Sequence, residues 1–249
     1  MRNNTVKMLS VAGLLATTLL SGQAQAAIAL DRTRVVFNGA ENAVSMTISN
    51  KNTQLPYLAQ GWLENENGDK ITSPLIVLPP VQRVEPGAQS QVKVQALPAA
   101  KALPQDRESL FYFNLREIPP KSDKANTLQI ALQTRIKLFY RPAAITPSKG
   151  SVFTPWQEKL TLTRQGEGFK VNNPTPYYIT LVDARSGAGG KTAAGFEPLM
   201  VPPKGSVALG ASGLGNAPVL TYVNDYGGRP DLTFKCGGGD CQVVPAAKG

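Results

Sequence analysis

The sequence predicts an all-β protein built from two immunoglobulin-like β-sandwich domains. Three observations carry this: many short runs of alternating apolar and polar residues, 20 prolines and 23 glycines spread between them, and a set of landmarks that recurs in the same order in each half. Val44, Met46 and Ile48 alternate with Ser45, Thr47 and Ser49, and Val92 and Val94 flank Lys93 after the Glu85-Pro86-Gly87 turn. Leu110 to Leu115 is rich in aromatics, and Leu128 to Tyr140 is one long alternating run. In the second half Leu160 and Leu162 alternate with polar residues, and Tyr177 to Val182, Val219 to Val223 and Leu232 to Cys236 read as further strands. No stretch sustains a helical period, so a sandwich or barrel is the fold class.

The repeat sets the domain count. Ser49-Asn50 followed by Leu55-Pro56-Tyr57 is echoed by Asn172-Asn173 followed by Pro174-Thr175-Pro176-Tyr177. Leu78-Pro79-Pro80 is echoed by Val201-Pro202-Pro203. Two copies of one module fit the length at roughly a hundred residues each. The strand pattern breaks from Pro142 to Gly150, placing one domain over 27–145 and the other over 146–249.

Residues 1–26 read as a signal peptide. Arg2 and Lys7 form a basic start, Met8 to Leu20 is apolar, and Ala24-Gln25-Ala26 has the small residues a signal peptidase accepts. The apolar stretch is too short to span a bilayer, which takes about 20 residues. The expected product is exported and not membrane-inserted.

Composition excludes several chemistries. Histidine is absent, which removes Ser-His and Cys-His catalysis and the usual metal sets, and no metal or cofactor is expected. Gly189-Gly190-Lys191-Thr192 resembles the tail of a phosphate loop. Arg185 stands where its first glycine belongs, and Pro198 blocks the helix that should follow. The net charge of +9 is scattered in ones and twos, which describes a solvated basic surface rather than a nucleic-acid site. Cys236 and Cys241 form the expected disulfide of an exported chain, closing a small loop worth about 2 kcal/mol in the chain-entropy model.

Leu128, Ile130, Leu132 and Ile136 share one strand face, opposite Gln129, Ala131, Gln133, Arg135 and Lys137. Left at an open edge, such a row is an aggregation hazard unless something uses it. Leu30-Asp31-Arg32-Thr33-Arg34, Gln54 to Gln60, Pro104 to Pro120, Leu128 to Pro142, and Asn224 to Pro230 are long specific stretches. In them the chain resembles the periplasmic pilus chaperones of the chaperone–usher family.

That resemblance runs from about Ala27 to Cys241 and fails in the Gly-rich 184–196 region. It implies two sandwiches set in an L, and a non-enzymatic chaperone that caps pilus subunits in the periplasm and delivers them to an outer-membrane usher. Arg34 and Lys137 would hold the subunit's C-terminal carboxylate, through charge-assisted hydrogen bonds of about 1.5–3 kcal/mol each. Leu128, Ile130 and Leu132 would form a donor strand filling the subunit's groove. Glu108, Arg141 and Asp225 would form an interdomain charge network, expected to be exposed or half-exposed and to set an angle more than a stability. The short loop between Ile118 and Leu128 matches the family's short-loop branch, associated with rod-like pili. The competing classes are a lectin, for which Trp62 and Trp156 look too isolated, and a pilus subunit, for which two complete domains are too many.

Overall fold

The computed structural model describes residues 26–124, 126–147 and 155–245; all of the leader except Ala26, and the last part of the expected joint, lie outside them. The N-terminal body contains β1 (Ile28–Leu30), β2 (Arg34–Asn38), β3 (Ala43–Asn50), β4 (Tyr57–Glu64), β5 (Lys70–Ile71), β6 (Leu75–Leu78), β7 (Val81–Val84), β8 (Gln89–Ala96), β9 (Ser109–Ile118) and β10 (Gln133–Arg141). One sheet has the order β1-β3-β8-β6, and the other β2-β10-β9-β4-β5, with β7 also paired to β4. Between them, alternate residues of each strand form one core, including Val35, Phe37, Met46, Ile48, Phe113, Ile136 and Leu138.

The C-terminal body contains β11 (Thr161–Gln165), β12 (Gly168–Asn173), β13 (Ile179–Arg185), β14 (Leu199–Val201), β15 (Gly205–Ala208), β16 (Val219–Val223), β17 (Asp231–Gly237) and β18 (Asp240–Val243). Its strands run β14-β13-β16-β17-β18-β11-β12-β15 around a separate core that includes Leu160, Leu162, Leu181, Leu220 and Phe234. Strand β17 joins the two layers: Asp231 to Thr233 pair with β16, and Phe234 to Gly237 pair with β18. Cys236 and Cys241 are bonded across the β17–β18 hairpin, where Gly238 and Gly239 both take positive φ. A two-residue turn with φ > 0 at both positions matches the twist of paired strands, and glycine meets that demand without a Cβ penalty. The phosphate-loop lookalike lies after β13, where Thr192 donates to Asp183 at 2.8 Å and no helix follows.

Among the described residues, helix is confined to three short 3-10 turns, and none is long and apolar enough to cross a membrane. The internal repeat has a structural basis in two buried asparagines. Asn50 donates its amide to the carbonyls of Leu55 and Val84, and its oxygen accepts the Asn52 N–H. Asn173 donates to the carbonyls of Tyr177, Val201 and Pro202, and accepts the Thr175 N–H. Each side chain closes a strand-to-strand connection and ties it to the strand that pairs next. Removing either leaves buried carbonyls without donors, at a cost of about 1–3 kcal/mol for each group stranded. Asn50→Ala and Asn173→Ala should therefore each lower unfolding stability by about 2–3 kcal/mol, measured by urea denaturation; a loss below about 0.5 kcal/mol would contradict this account of the repeat.

Candidate functional site

Strand β10 builds the site because its residues alternate between two environments. Ile136, Leu138 and Tyr140 enter the N-terminal core, so Lys137, Phe139 and Arg141 face the second domain. On β2, Val35 and Phe37 point inward, and Arg34 takes the outer face. The two strands run parallel with Arg34 opposite Lys137, so the two cations stand side by side. Both are half-buried.

The second domain meets them at another pair of register partners, Thr180 on β13 and Val223 on β16. Lys137 Nζ donates to Thr180 Oγ1 at 3.2 Å, and Arg34 Nη1 donates to the Val223 carbonyl at 3.2 Å. Arg34 Nε is buried with no acceptor. Burial pushes the Lys137 ammonium below its usual range, and the neighbouring Arg34 adds to this. Burial likewise lowers Arg34, opposed by the fields of Asp225 and Glu108. Two half-buried cations thus share a cleft in which, among the described residues, their hydrogen-bond partners are neutral oxygens.

The nearby carboxylates are held by Arg141. Its Nε and Nη2 reach Glu108 Oε1 at 2.8 and 2.7 Å, and its Nη1 and Nη2 reach the Asp225 carboxylate at 2.8 and 3.2 Å. Glu108 also accepts the Tyr178 N–H at 2.8 Å, while its own N–H donates to the Pro176 carbonyl at 2.9 Å. The guanidinium lies 4.9 Å from the ring centroids of both Trp156 and Tyr177, which stack at 4.3 Å. The expected half-exposed network is mostly buried. The Arg141 and Glu108 side chains are 7% and 1% exposed, because each enters the interface between two β-sandwiches, and only Asp225 reaches solvent at 28%.

The donor row departs from the expected continuous strand. Leu128 to Leu132 lie outside any strand, and β10 starts at Gln133; of the segment, Leu132 alone keeps a backbone bond to β9, accepting the Glu117 N–H at 3.0 Å. Leu128, Ile130 and Leu132 are 87%, 68% and 40% exposed, whereas Ile136, in the same row, is buried. The alternation is unbroken, but the neighbours are missing. The β9–β10 register pairs Arg116 with Gln133, and continuing it would set Pro120 and Pro119 opposite Gln129 and Ile130. Proline has no N–H for the ladder. On the other side, β2 begins only at Arg34, opposite Lys137.

Sequence reasoning missed the second domain's contribution: Thr180, Tyr177, Tyr178 and Trp156. Tyr178 packs on Phe139 at 5.8 Å, and its hydroxyl donates to Glu66 at 2.5 Å. Lys204 also crosses to Asp106 at 2.5 Å. One signal was available. Consecutive tyrosines opening a strand must face opposite ways, so Tyr177 and Tyr178 cannot both serve one core.

Comparison with known proteins places this geometry. Residues 27–146 match the family model described as pili and flagellar-assembly chaperone, PapD N-terminal domain, and residues 155–234 match that of the pili assembly chaperone PapD, C-terminal domain. The chain belongs to the PapD family of pilus-assembly chaperones. It is 53% identical to the Escherichia coli chaperone protein PapD, over 90% of this chain and 92% of that one. It is 55% identical to the probable fimbrial chaperone YfcS of E. coli K12, over 94% and 92%. Among solved structures, the periplasmic chaperone SfaE matches with a TM-score of 0.64 at 33% identity, covering 83% of this chain and 98% of that one. The complex of the SafA pilin with the SafB chaperone from Salmonella enterica matches with 0.71 at 26%, covering 85% and 97%.

Burial pushes the Glu108 carboxyl up to about 6 despite the pull of Arg141 and the Tyr178 N–H, while Arg141, shared between two carboxylates, is raised. A folded value above the ordinary 4.5 means that the folded chaperone holds a proton the unfolded chain has already lost. That contribution is full below pH 4.5 and disappears as pH rises through about 6, a loss of about 2 kcal/mol. The stability of the wild type relative to Glu108→Gln should fall by about that amount between pH 4 and 7 in urea titrations. A rise over the same interval would contradict this.

Proposed function

We propose that this chaperone works in the periplasm and caps a pilus subunit through one continuous site. Arg34 and Lys137 take the subunit's terminal carboxylate, Leu128, Ile130 and Leu132 enter its groove, and the complex is then passed to an outer-membrane usher. The single observation that carries this is the pair of half-buried cations whose hydrogen-bond partners, among the described residues, are neutral oxygens. A carboxylate would supply the charge and the acceptors that Thr180 Oγ1 and the Val223 carbonyl do not.

The surroundings support the same reading. Strand β2 fills the lane beside β10 only from Lys137 onward, leaving the edge from Gln133 to Ile136 and the segment before it open on that side. A subunit strand lying in that lane, in line with β2, would run parallel to β10 and end where Arg34 begins. Its last group would be a carboxylate between the two cations. The backbone ladder would give affinity, and the alternate apolar side chains would give fit. The row is left exposed in the free protein, as a surface to be lent must be.

Arg34→Ala and Lys137→Ala should each leave the chaperone folded but cut subunit capture about 30-fold or more, the effect of truncating one member of a desolvated charge contact. Co-purification of a tagged subunit measures this, and capture at wild-type levels in both variants would sink the anchor assignment. Ile130→Glu would bury an unpaired charge in the groove at a cost of several kcal/mol. Gln129→Glu, of opposite parity, should cost far less. Because Ile130 is largely exposed, its variant should keep the wild-type melting temperature. Equal loss of capture in both variants would remove the side-specific groove.

A further inference from the structure

Beside Arg34 lies a cavity of about 400 Å³, lined by Thr33, Arg34, Val36 and the ring of Tyr226 among others. Asp31 and Arg32, which also border it, are paired with each other at 2.8 Å, so Arg34 is the cation there without a carboxylate partner. Tyr226 is 97% exposed, yet its backbone is fixed. The Asn224 side-chain oxygen accepts the N–H groups of Tyr226 and Gly228 at 3.0 and 2.8 Å, and Asn224 N–H donates to the Gly228 carbonyl at 3.0 Å. Gly227 holds φ at +86° against Thr33, where a Cβ would lie 2.8 Å from the hydroxyl oxygen. Asp225, one residue before the tyrosine, is gripped by Arg141. An aromatic ring fully in water on a locked turn gains apolar burial on contact at little ordering cost.

We propose that this cavity receives the side chain of the subunit's carboxy-terminal residue, and that Tyr226 is a specificity-determining residue favouring a large apolar or aromatic side chain there. The proposal rests on the carboxylate anchor. A carboxylate held by Arg34 carries its own Cα and side chain within a few ångströms of the guanidinium, and the adjoining cavity offers that side chain the Tyr226 ring on one wall and Val36 on another. Of the other charged groups at the rim, Asp31 and Arg32 pair with each other and Asp225 pairs with Arg141. With Arg34 engaged by the carboxylate, Val36 and Tyr226 are the apolar surfaces left to meet the side chain.

Isothermal titration of the intact chaperone tests this with acetylated nine-residue peptides of alternating valine and threonine, ending in phenylalanine, leucine or glycine. Each is made as the free acid and as the amide. Wild type should prefer the phenylalanine acid over the glycine acid by about tenfold, the size of one aromatic contact with its buried area. Tyr226→Ala should flatten that preference to within about twofold, while Tyr226→Phe keeps it, since the ring face and not the hydroxyl makes the contact. A preference that persists in Tyr226→Ala overturns the proposal and leaves the anchor standing. Equal binding of acid and amide by wild type overturns the anchor, and this proposal with it.

Discussion

The grip of Arg141 on Glu108 and Asp225 is the interaction on which the rest of the structure depends. One guanidinium from the last residue of β10 holds a carboxylate from its own domain and one from the other, beside the stacked rings of Trp156 and Tyr177. Buried ion pairs of this kind add little net stability, because desolvation offsets the Coulomb gain. Their effect is directional. With Arg141 in place, Thr180 and Val223 come down over Lys137 and Arg34. The two cations there stay half-buried, with weak neutral acceptors. In the proposed reading, the lock thereby creates the electrostatic demand that a subunit carboxylate would meet.

Strand β10 carries that logic through its two-residue period. Its even-numbered residues from Ile136 onward fill the N-terminal core, and its odd-numbered residues supply the proposed anchor at Lys137, the apolar contact at Phe139 and the lock at Arg141. The segment just before it continues the even-numbered row into solvent as Leu132, Ile130 and Leu128. A one-residue slip would move lock and anchor into the core and core residues into the cleft. Glu117 helps to pin the register: its N–H donates to the Leu132 carbonyl at 3.0 Å, and its carboxylate accepts the Ile28 N–H at 2.9 Å.

The sandwich class, the duplicated Asn landmarks and the disulfide were legible in the sequence because each follows from local rules of alternation, turn chemistry and cysteine spacing. The end of β10 was not. Alternation runs unbroken from Leu128, and only the partner strand reveals that Pro119 and Pro120 leave nothing for that segment to pair with. Trp156 read as isolated, yet it stacks on Tyr177 and covers Arg141. Contacts between domains leave no periodic trace in either one. For the same reason the burial of Glu108 and Arg141 could not be seen from their residue types, which are those of a surface.

Domain docking, and not the mere presence of two cations, is what we propose gives the cleft a preference for a carboxylate. The most direct measurement compares the affinity of the free-acid and amide forms of a subunit's terminal peptide for the wild type and for Asp225→Ala. That variant leaves Arg34 and Lys137 intact and removes the second domain's half of the lock. If docking matters, the acid-over-amide ratio should fall about tenfold or more in the variant, as the cleft opens further to water that screens the pair. An unchanged ratio would show that Arg34 and Lys137 act without the lock, and would contradict the account.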